Sequence, residues 1–248
     1  MTKVLLVTGA SRGIGAATAT LAATQGCSVC VNYRQRHDDA NAVVSAIESA
    51  GGRALAIQAD VSVEADVVRM FGECERQLGR LSALVNNAGI LETQTRVESM
   101  DAARLQRVFS TNIIGPFLCA REAVRRMSTR HGGAGGAIVN VSSMAARLGA
   151  PREYVDYAAS KGAIDTFTIG LAGEVAEEGI RVNAVRPGLI YTEIHASGGE
   201  PGRVDRVKGG VPMKRGGSPD EVARAILWLL SDDASYTTGS ILDVSGGR

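Results

Sequence analysis

Thr8-Gly9-Ala10-Ser11-Arg12-Gly13-Ile14-Gly15 decides how this chain is read. It lies between an apolar run, Val4-Leu5-Leu6-Val7, and a segment in which Ile14, Ala17, Leu21 and Ala22 recur at helical spacing. An apolar run without alternation suits a strand buried on both faces of a parallel sheet. A glycine-rich turn from such a strand into a helix lets the backbone fold tightly. It also aims the unpaired N–H groups of the helix start at an anion such as a pyrophosphate. The glycine spacing is G-x-x-x-G-x-G rather than G-x-G-x-x-G, so the placement between strand and helix carries the reading.

The pattern repeats downstream. Strands are predicted at Lys3–Thr8, Ser28–Asn32, Arg53–Gln58, Ala83–Asn86, Ala137–Val141, Arg181–Val185 and Ile241–Val244. Helices are predicted at 14–25, 38–50, 64–78, 101–130, 155–178 and 219–230, with Asp38 and Asp39 opening the second. Strands alternating with helices make an α/β chain with a doubly wound parallel sheet of about seven strands and helices on both faces. No linker or composition break divides it, so residues 1–248 read as a single domain. The stretch 191–217, with three Gly-Gly pairs, Pro201 and Pro212, reads as a flap or a short helical excursion.

Composition excludes several classes. Lys and Arg number 27 and Asp and Glu 26, a net charge of +1, which points to neither nucleic acid nor a membrane surface. Val4–Val7 is too short for a signal-peptide core, and no run approaches the roughly 18 apolar residues of a span. The expectation is a soluble, cytoplasmic protein. Cys27 and Cys30 form a C-x-x-C, but within a strand they point to opposite faces, and no second pair accompanies them. With the three histidines scattered at 37, 131 and 195, the cysteines read as structural thiols, and no metal site is expected.

Two further patterns carry chemistry. Tyr157-Ala158-Ala159-Ser160-Lys161 sets a phenol and an ammonium four residues apart, on one face of a helix. A nearby positive charge stabilises phenolate, so the Tyr157 pKa is expected below its usual value of about 10. At the end of the second strand, an acidic residue would bond a ribose 2′-hydroxyl. Here Asn32-Tyr33-Arg34 stands instead. Arg34, with Arg12 in the turn beneath, offers two positive charges and no competing carboxylate. That favours NADP(H), with NAD(H) as the alternative.

Together with Asp60-Val61, Asn86-Asn87-Ala88-Gly89, Asn112, Ser142-Ser143 and Pro187-Gly188 with Thr192, these motifs resemble the short-chain dehydrogenase/reductase family in its compact branch. The resemblance spans nearly the whole chain. It implies a Rossmann-type fold, an oxidoreductase acting on a carbonyl or alcohol, and a Ser-Tyr-Lys-Asn constellation. Tyr157 would be the acid or base, Lys161 its partner and a holder of the nicotinamide ribose, and Ser143 a donor to the substrate oxygen. Asn112 would hold a water linking Lys161 to solvent. The cofactor would meet Gly9, Ser11, Arg12, Gly13, Ile14 and Gly15 in the turn, and Asn32 and Arg34 after the second strand. Asp60 and Val61 would flank adenine, and Asn87, Ala88 and Gly89 would line the cleft. Pro187, Gly188, Ile190 and Thr192 would meet the carboxamide and phosphate end.

Several choices remain inside that frame. Tyr154 has Ala158 four residues on, so it reads as a pocket wall or surface residue. Ser142 and Ser143 point opposite ways, and alignment on Ile138–Val141 selects Ser143. The Ser143–Tyr157 separation is 14, one more than the commoner family spacing, and the extra residue falls in the 149–154 loop. Pro116 has no N–H, so it would leave the Asn112 carbonyl free to accept the relay water. The pocket candidates are Met144, Ala145, Tyr154, Leu189, Ile194 and His195, with His195 read as a surface residue of the flap. Arg125, Arg126 and Arg130 could form a basic rim for an acyl carrier protein, against which Glu174, Glu177 and Glu178 work. Alternatives are a 3-oxoacyl-carrier-protein reductase, a sugar or alcohol dehydrogenase, and a non-catalytic dinucleotide-binding sensor or scaffold. The family implies a homo-oligomer, with a tetramer favoured through helices 101–130 and 155–178 and the segment 238–247.

Overall fold

A computed structural model describes residues 3–248; Met1 and Thr2 of the leading segment lie outside the described residues. Seven strands form one parallel sheet: β1 (Val4–Val7), β2 (Ser28–Tyr33), β3 (Arg53–Gln58), β4 (Ala83–Asn86), β5 (Gly136–Val141), β6 (Ile180–Pro187) and β7 (Ile241–Val244). Their order is β3-β2-β1-β4-β5-β6-β7. The flanking helices are α1 (Gly13–Thr24), α2 (His37–Ser49), α3 (Glu64–Leu78), α4 (Ala102–Phe109), α5 (Gly115–Met127), α6 (Ala145–Leu148), α7 (Val155–Val175), α8 (Ile194–Ser197), α9 (Arg203–Val207) and α10 (Pro219–Leu230).

The apolar runs lack alternation because both sheet faces are covered. Val4 and Leu6 pack with Ile57, Met70, Phe71, Leu84 and Ile138 on one face. Leu5 and Val7 pack with Val29, Val31, Val139 and Ile226 on the other. The strand order reverses at β1, which opens a crevice between the loops that leave β1 and β4. Ser218 and Glu221 form a capping box with Pro219 in the first turn of α10, a start legible in the sequence.

The helix expected over 101–130 is three pieces. A π turn over Ser110–Ile114 separates α4 from α5, and the Gly115 N–H bonds the Ser110 carbonyl. Pro116, in the first turn of α5, has no N–H to continue an α-helical ladder. Gly115 is required there, because a Cβ would lie 2.8 Å from Val61 Cγ2. The helix expected over 155–178 ends at Val175, with a 3-10 turn at Ala176–Glu178. Strand β2 runs one residue past Asn32, so Tyr33 is its last residue. The 191–217 stretch carries α8, α9 and a 3-10 turn at Lys208–Gly210, a helical excursion rather than an open loop.

All four cysteines are free thiols. Cys30 and Cys74 are buried in contact between β2 and α3; the hydrogen bond with Cys74, then burial, push the Cys30 thiol up, and burial pushes the Cys119 thiol up. Among the described residues no group of His, Cys, Asp and Glu could hold a metal ion. No helix among them is long and apolar enough to cross a membrane.

Candidate active site

The crevice is a cavity of about 680 Å³ lined by the turn after β1, the loops after β2 to β6, and α8. Its floor is held by a set of side-chain hydrogen bonds. Thr8 Oγ1 accepts from the Asn87 and Ala88 N–H groups, each at 3.0 Å. Asn87 Nδ2 donates to the Thr8 and Gly9 carbonyls at 2.8 and 3.0 Å. Asn32 is buried; its Oδ1 accepts from the Gly9 N–H at 3.1 Å, and its Nδ2 donates to the Ile57 and Ala59 carbonyls. Asn32 and Asn87 therefore brace the turn with their amides, and both also line the cavity.

The glycines of the turn are steric requirements. Gly9 has φ +60°, and a Cβ there would lie 2.9 Å from Ala88 Cα. At Gly15 a Cβ would lie 2.5 Å from Asn87 Nδ2 and 2.6 Å from the Gly9 carbonyl. Arg12, the residue before α1, makes no side-chain cap. Among the described residues no side chain claims the first N–H groups of α1, and Ser11, Arg12, Gly13 and Ile14 line the cavity beside them. A helix start left open onto a cavity of this size fits a pyrophosphate.

Arg12, Arg34 and a third arginine, Arg36, line the same end of the cavity. The expected absence of competing carboxylates does not hold. Arg12 Nη1 donates to Glu193 Oε2 at 2.6 Å, Arg36 Nη1 lies 3.5 Å from the same oxygen, and Arg34 Nη1 lies 3.6 Å from Asp60 Oδ2. Asp60 Oδ1 accepts from the Ser62 N–H and hydroxyl, which fixes the turn where Asp60 and Val61 border the cavity. These carboxylates come from β3's exit and from the loop before α8, far from Arg12 and Arg34 in sequence.

At the other end, Ser143, Tyr157 and Lys161 all line the cavity. Ser142, its neighbour, donates its hydroxyl to the Lys161 carbonyl. Lys161 is buried; its Nζ donates to the Val141 carbonyl at 2.7 Å and lies 5.5 Å from the centroid of the Tyr157 ring. The expected lowering of the Tyr157 pKa is not what this structure shows. Burial pushes the phenol up to about 12, with the Ser143 hydroxyl pulling against it. Burial pushes Lys161 down to about 8, and the Asp165 carboxylate one turn on opposes that. Both shifts have one cause: each charged form is disfavoured by desolvation.

The Asn112 side chain is fully engaged. Its Oδ1 accepts from the Ile90 N–H at 2.8 Å, and its Nδ2 donates to the Ile90 carbonyl and to Ser160 Oγ. Ser160 Oγ in turn donates to the Tyr157 carbonyl at 2.6 Å. The π turn that carries Asn112 thus ties the Gly89–Ile90 loop to α7. Gly89 is open enough that a Cβ would sit 3.5 Å from Asn112 Oδ1 and 3.6 Å from Lys161 Nζ.

Over these residues lies the segment after β6. Pro187, Gly188, Leu189, Ile190 and Thr192 line the cavity, and a Cβ on Gly13 would touch Thr192 Cγ2 at 3.4 Å. Tyr154 is a buried wall, not a surface residue: its hydroxyl donates to the Gly198 carbonyl, and Arg203 stacks 5.2 Å from its ring centroid. His195 is half-buried in the wall rather than on the surface. Its Nε2 bonds the Ile190 carbonyl, and burial lowers its pKa below the usual imidazole value. Leu91, Met144, Leu148, Pro151 and Ile194 complete an apolar chamber beside Tyr157.

Residues that the sequence reading passed over hold this site. Arg104 and Asp156 form a buried pair, Nε to Oδ2 at 2.7 Å, and Asp156 Oδ1 accepts from the Tyr157 N–H. Asn140 links Asn86 on β4 to Thr168 on α7 through buried amide bonds. An Asn inside the apolar run Ile138–Val141 was the one visible signal of the latter. The former had none, since its partners lie 52 residues apart.

Comparison with known proteins shows similarity over nearly the whole chain. A family model described as enoyl-(acyl carrier protein) reductase matches residues 9–248. The chain is 63% identical over 245 residues to the uncharacterized oxidoreductase YgfF of Escherichia coli, covering 99% of each. It is 40% identical over 246 residues to 3beta-hydroxysteroid dehydrogenase 1 of Eggerthella lenta, covering 99% of this chain and 93% of that protein. The structure of a dehydrogenase/reductase from Sinorhizobium meliloti superimposes with a TM-score of 0.91 at 33% identity, over 100% of this chain and 95% of that one.

Proposed function

The chain belongs to the short-chain dehydrogenase/reductase family, and we propose that it catalyses reversible oxidoreduction of an uncharged carbonyl/alcohol pair with NADP(H). The observation that carries this is the single cavity shared by the open start of α1 and by Ser143, Tyr157 and Lys161. A nicotinamide cofactor, when bound, would supply or take up the hydride. Binding, orientation and proton transfer would fall to groups of this chain.

Gly9, Ser11, Gly13, Ile14 and Gly15 would hold the pyrophosphate, and Asp60, Val61, Ala88 and Gly89 the adenosine half. Asn32 and Asn87 would keep the turn in shape, and Pro187, Gly188, Ile190 and Thr192 would border the nicotinamide half. Arg12, Arg34 and Arg36 line the cavity, and a ribose phosphate would have to exchange for the carboxylates they now pair with; three guanidinium groups at one end are what supports NADP(H) over NAD(H). Ser143 and the Tyr157 hydroxyl would donate hydrogen bonds to the substrate oxygen as charge develops on it. In reduction Tyr157 would give that oxygen its proton, and in oxidation it would accept one. Lys161, charged below about pH 8, would favour phenolate during that transfer. Reprotonation would pass through a water on the Asn112 carbonyl, since the Asn112 amide is already spent and Pro116 offers that carbonyl no N–H.

An uncharged substrate is favoured over one delivered by an acidic carrier protein. The chamber beside Tyr157 is apolar, and Glu153 in its wall is paired with Arg203. The anticipated basic rim is neutralised: Arg125 and Arg126 pair with Glu122, and Arg130 with Glu178. None of the three borders the cavity. Exposed Ile114 and Phe117 on the α4–α5 side, and Ile169 on α7, suit a homotetramer interface, with Phe117 stacked on Phe167. Four free thiols fit a reducing compartment, in keeping with cytoplasmic action.

The test is Tyr157→Phe. The variant is expected to lose nearly all turnover of ketones and aldehydes while binding NADPH as the unaltered protein does. Unaltered rates would refute the role of Tyr157. A wild-type protein that binds NADPH yet turns over no ketone, aldehyde, quinone or acyl thioester would favour a sensor.

A further inference from the structure

Glu193 lies between the exit of β6 and α8, yet its carboxylate reaches across the cavity to the turn before α1. It takes Arg12 Nη1 at 2.6 Å and stands 3.5 Å from Arg36 Nη1. Ser197, on α8, accepts from Arg12 Nη2 at 3.4 Å and reinforces the crossing. The three arginines are not equally committed. Arg36 is shared with Asp39 at 2.9 Å, and Arg34 is held loosely by Asp60 at 3.6 Å. Arg12 has Glu193 as its carboxylate partner.

We propose that Glu193 is a specificity-determining residue for the dinucleotide: its carboxylate occupies Arg12 and Arg36 and thereby weakens binding of NADP(H) while leaving NAD(H) nearly untouched. The proposal rests on the reading above that these arginines face the ribose of a nicotinamide dinucleotide. A guanidinium fork accepts a carboxylate or a phosphate with the same geometry, so the two compete for it. A ribose phosphate brings close to two negative charges at neutral pH. It must either displace Glu193 or bind beside a carboxylate of like charge, and both cost affinity. A ribose hydroxyl carries no charge and meets neither penalty. Linkage makes the effect reciprocal: a phosphate on Arg12 loosens the tie between α8 and the turn by the same factor that the tie loosens the phosphate.

The size of the effect follows from exposure. The Glu193, Arg12 and Arg36 side chains are 59%, 33% and 50% exposed, so these are surface ion pairs. Such pairs correspond to a change of about two- to five-fold in an equilibrium constant. Screening by salt shrinks it further.

The test is equilibrium binding of NADPH and of NADH, each by fluorescence titration without substrate, to the wild type and to Glu193→Gln. The variant is expected to bind NADPH about two- to five-fold more tightly and NADH as before, with the NADPH gain shrinking at high salt. In an Arg12→Gln background the same substitution should give a smaller gain, because its main partner is gone. An equal change for both dinucleotides, or no change for NADPH in a variant with unaltered melting temperature, overturns the proposal. The underlying reading is judged separately, on the wild type alone. A wild type that prefers NADH refutes the NADP(H) assignment, while the shift caused by Glu193→Gln can still be read.

Discussion

Replacing Arg104 by leucine tests how the catalytic helix is anchored. The Arg104 side chain is 8% exposed and that of Asp156 1%. Arg104 donates Nε to Asp156 Oδ2 at 2.7 Å, Nη2 to Oδ1 at 3.4 Å, and Nη1 to the Thr93 carbonyl at 2.7 Å. Leucine fills part of the space but strands the Asp156 carboxylate, which keeps the Tyr157 N–H as its partner. Removing one member of a buried pair costs about 3–5 kcal/mol. Domains are typically stable by about 5–15 kcal/mol, so the loss is a large fraction of the total. Urea unfolding followed by circular dichroism, at one fixed protein concentration, measures it. The double variant Arg104→Leu/Asp156→Asn removes the stranded charge and should cost less than the sum of the two single variants, by about 0.5–3 kcal/mol. A loss under about 1 kcal/mol for Arg104→Leu, or strict additivity in the cycle, would refute the view that this pair fixes the start of α7.

Three further outcomes follow from the same geometry. Gly15→Ala places a Cβ 2.5 Å from Asn87 Nδ2, so the turn must shift; overpacking of about 1–3 kcal/mol should appear as a lower melting temperature together with weaker dinucleotide binding. Lys161 should titrate near pH 8 in the cofactor-free protein, as followed by NMR of ¹³C-labelled lysine, with the resonance absent in Lys161→Arg. Its folded-state pKa lies below the ordinary value of about 10.4, so between pH 8 and that value the unfolded chain holds more protons. Its contribution to stability therefore rises with pH across that window; a titration near 10.4 would contradict the burial argument. Tyr154→Phe removes the bond to the Gly198 carbonyl and should raise KM for substrate more than it lowers kcat, measured by steady-state kinetics.

Much of the architecture was legible because its signals are local. All seven strands fall where apolar runs stand, and six helices begin within a residue or two of their expected starts. The break at 110–114 was half legible. Pro116 announced a missing N–H, but the close approach of Val61, which leaves no room for a Cβ at Gly115, is a contact between distant residues. Gly9, Ser11, Arg12, Gly13, Ile14, Tyr157 and Lys161 line one cavity, whereas Gly15 and Asn112 stand behind it. The direction of the Tyr157 shift was not legible. Residue spacing shows that a phenol and an ammonium are near each other, but not that both are enclosed, and enclosure dominates the shift of each.

What the sequence determined by itself was whatever depends on neighbours in the chain: the β/α order, the glycine turn, and the shared face of Tyr157 and Lys161. Those are consequences of backbone geometry over a few residues. Tertiary structure alone decided which charges distant in the chain meet. Arg104 finds Asp156 across 52 residues, and Arg12 finds Glu193 across 181. Coulomb attraction and hydrogen bonding act over a few ångströms of space regardless of chain separation. The electrostatics of this site therefore become readable only once the sheet order has brought its loops together.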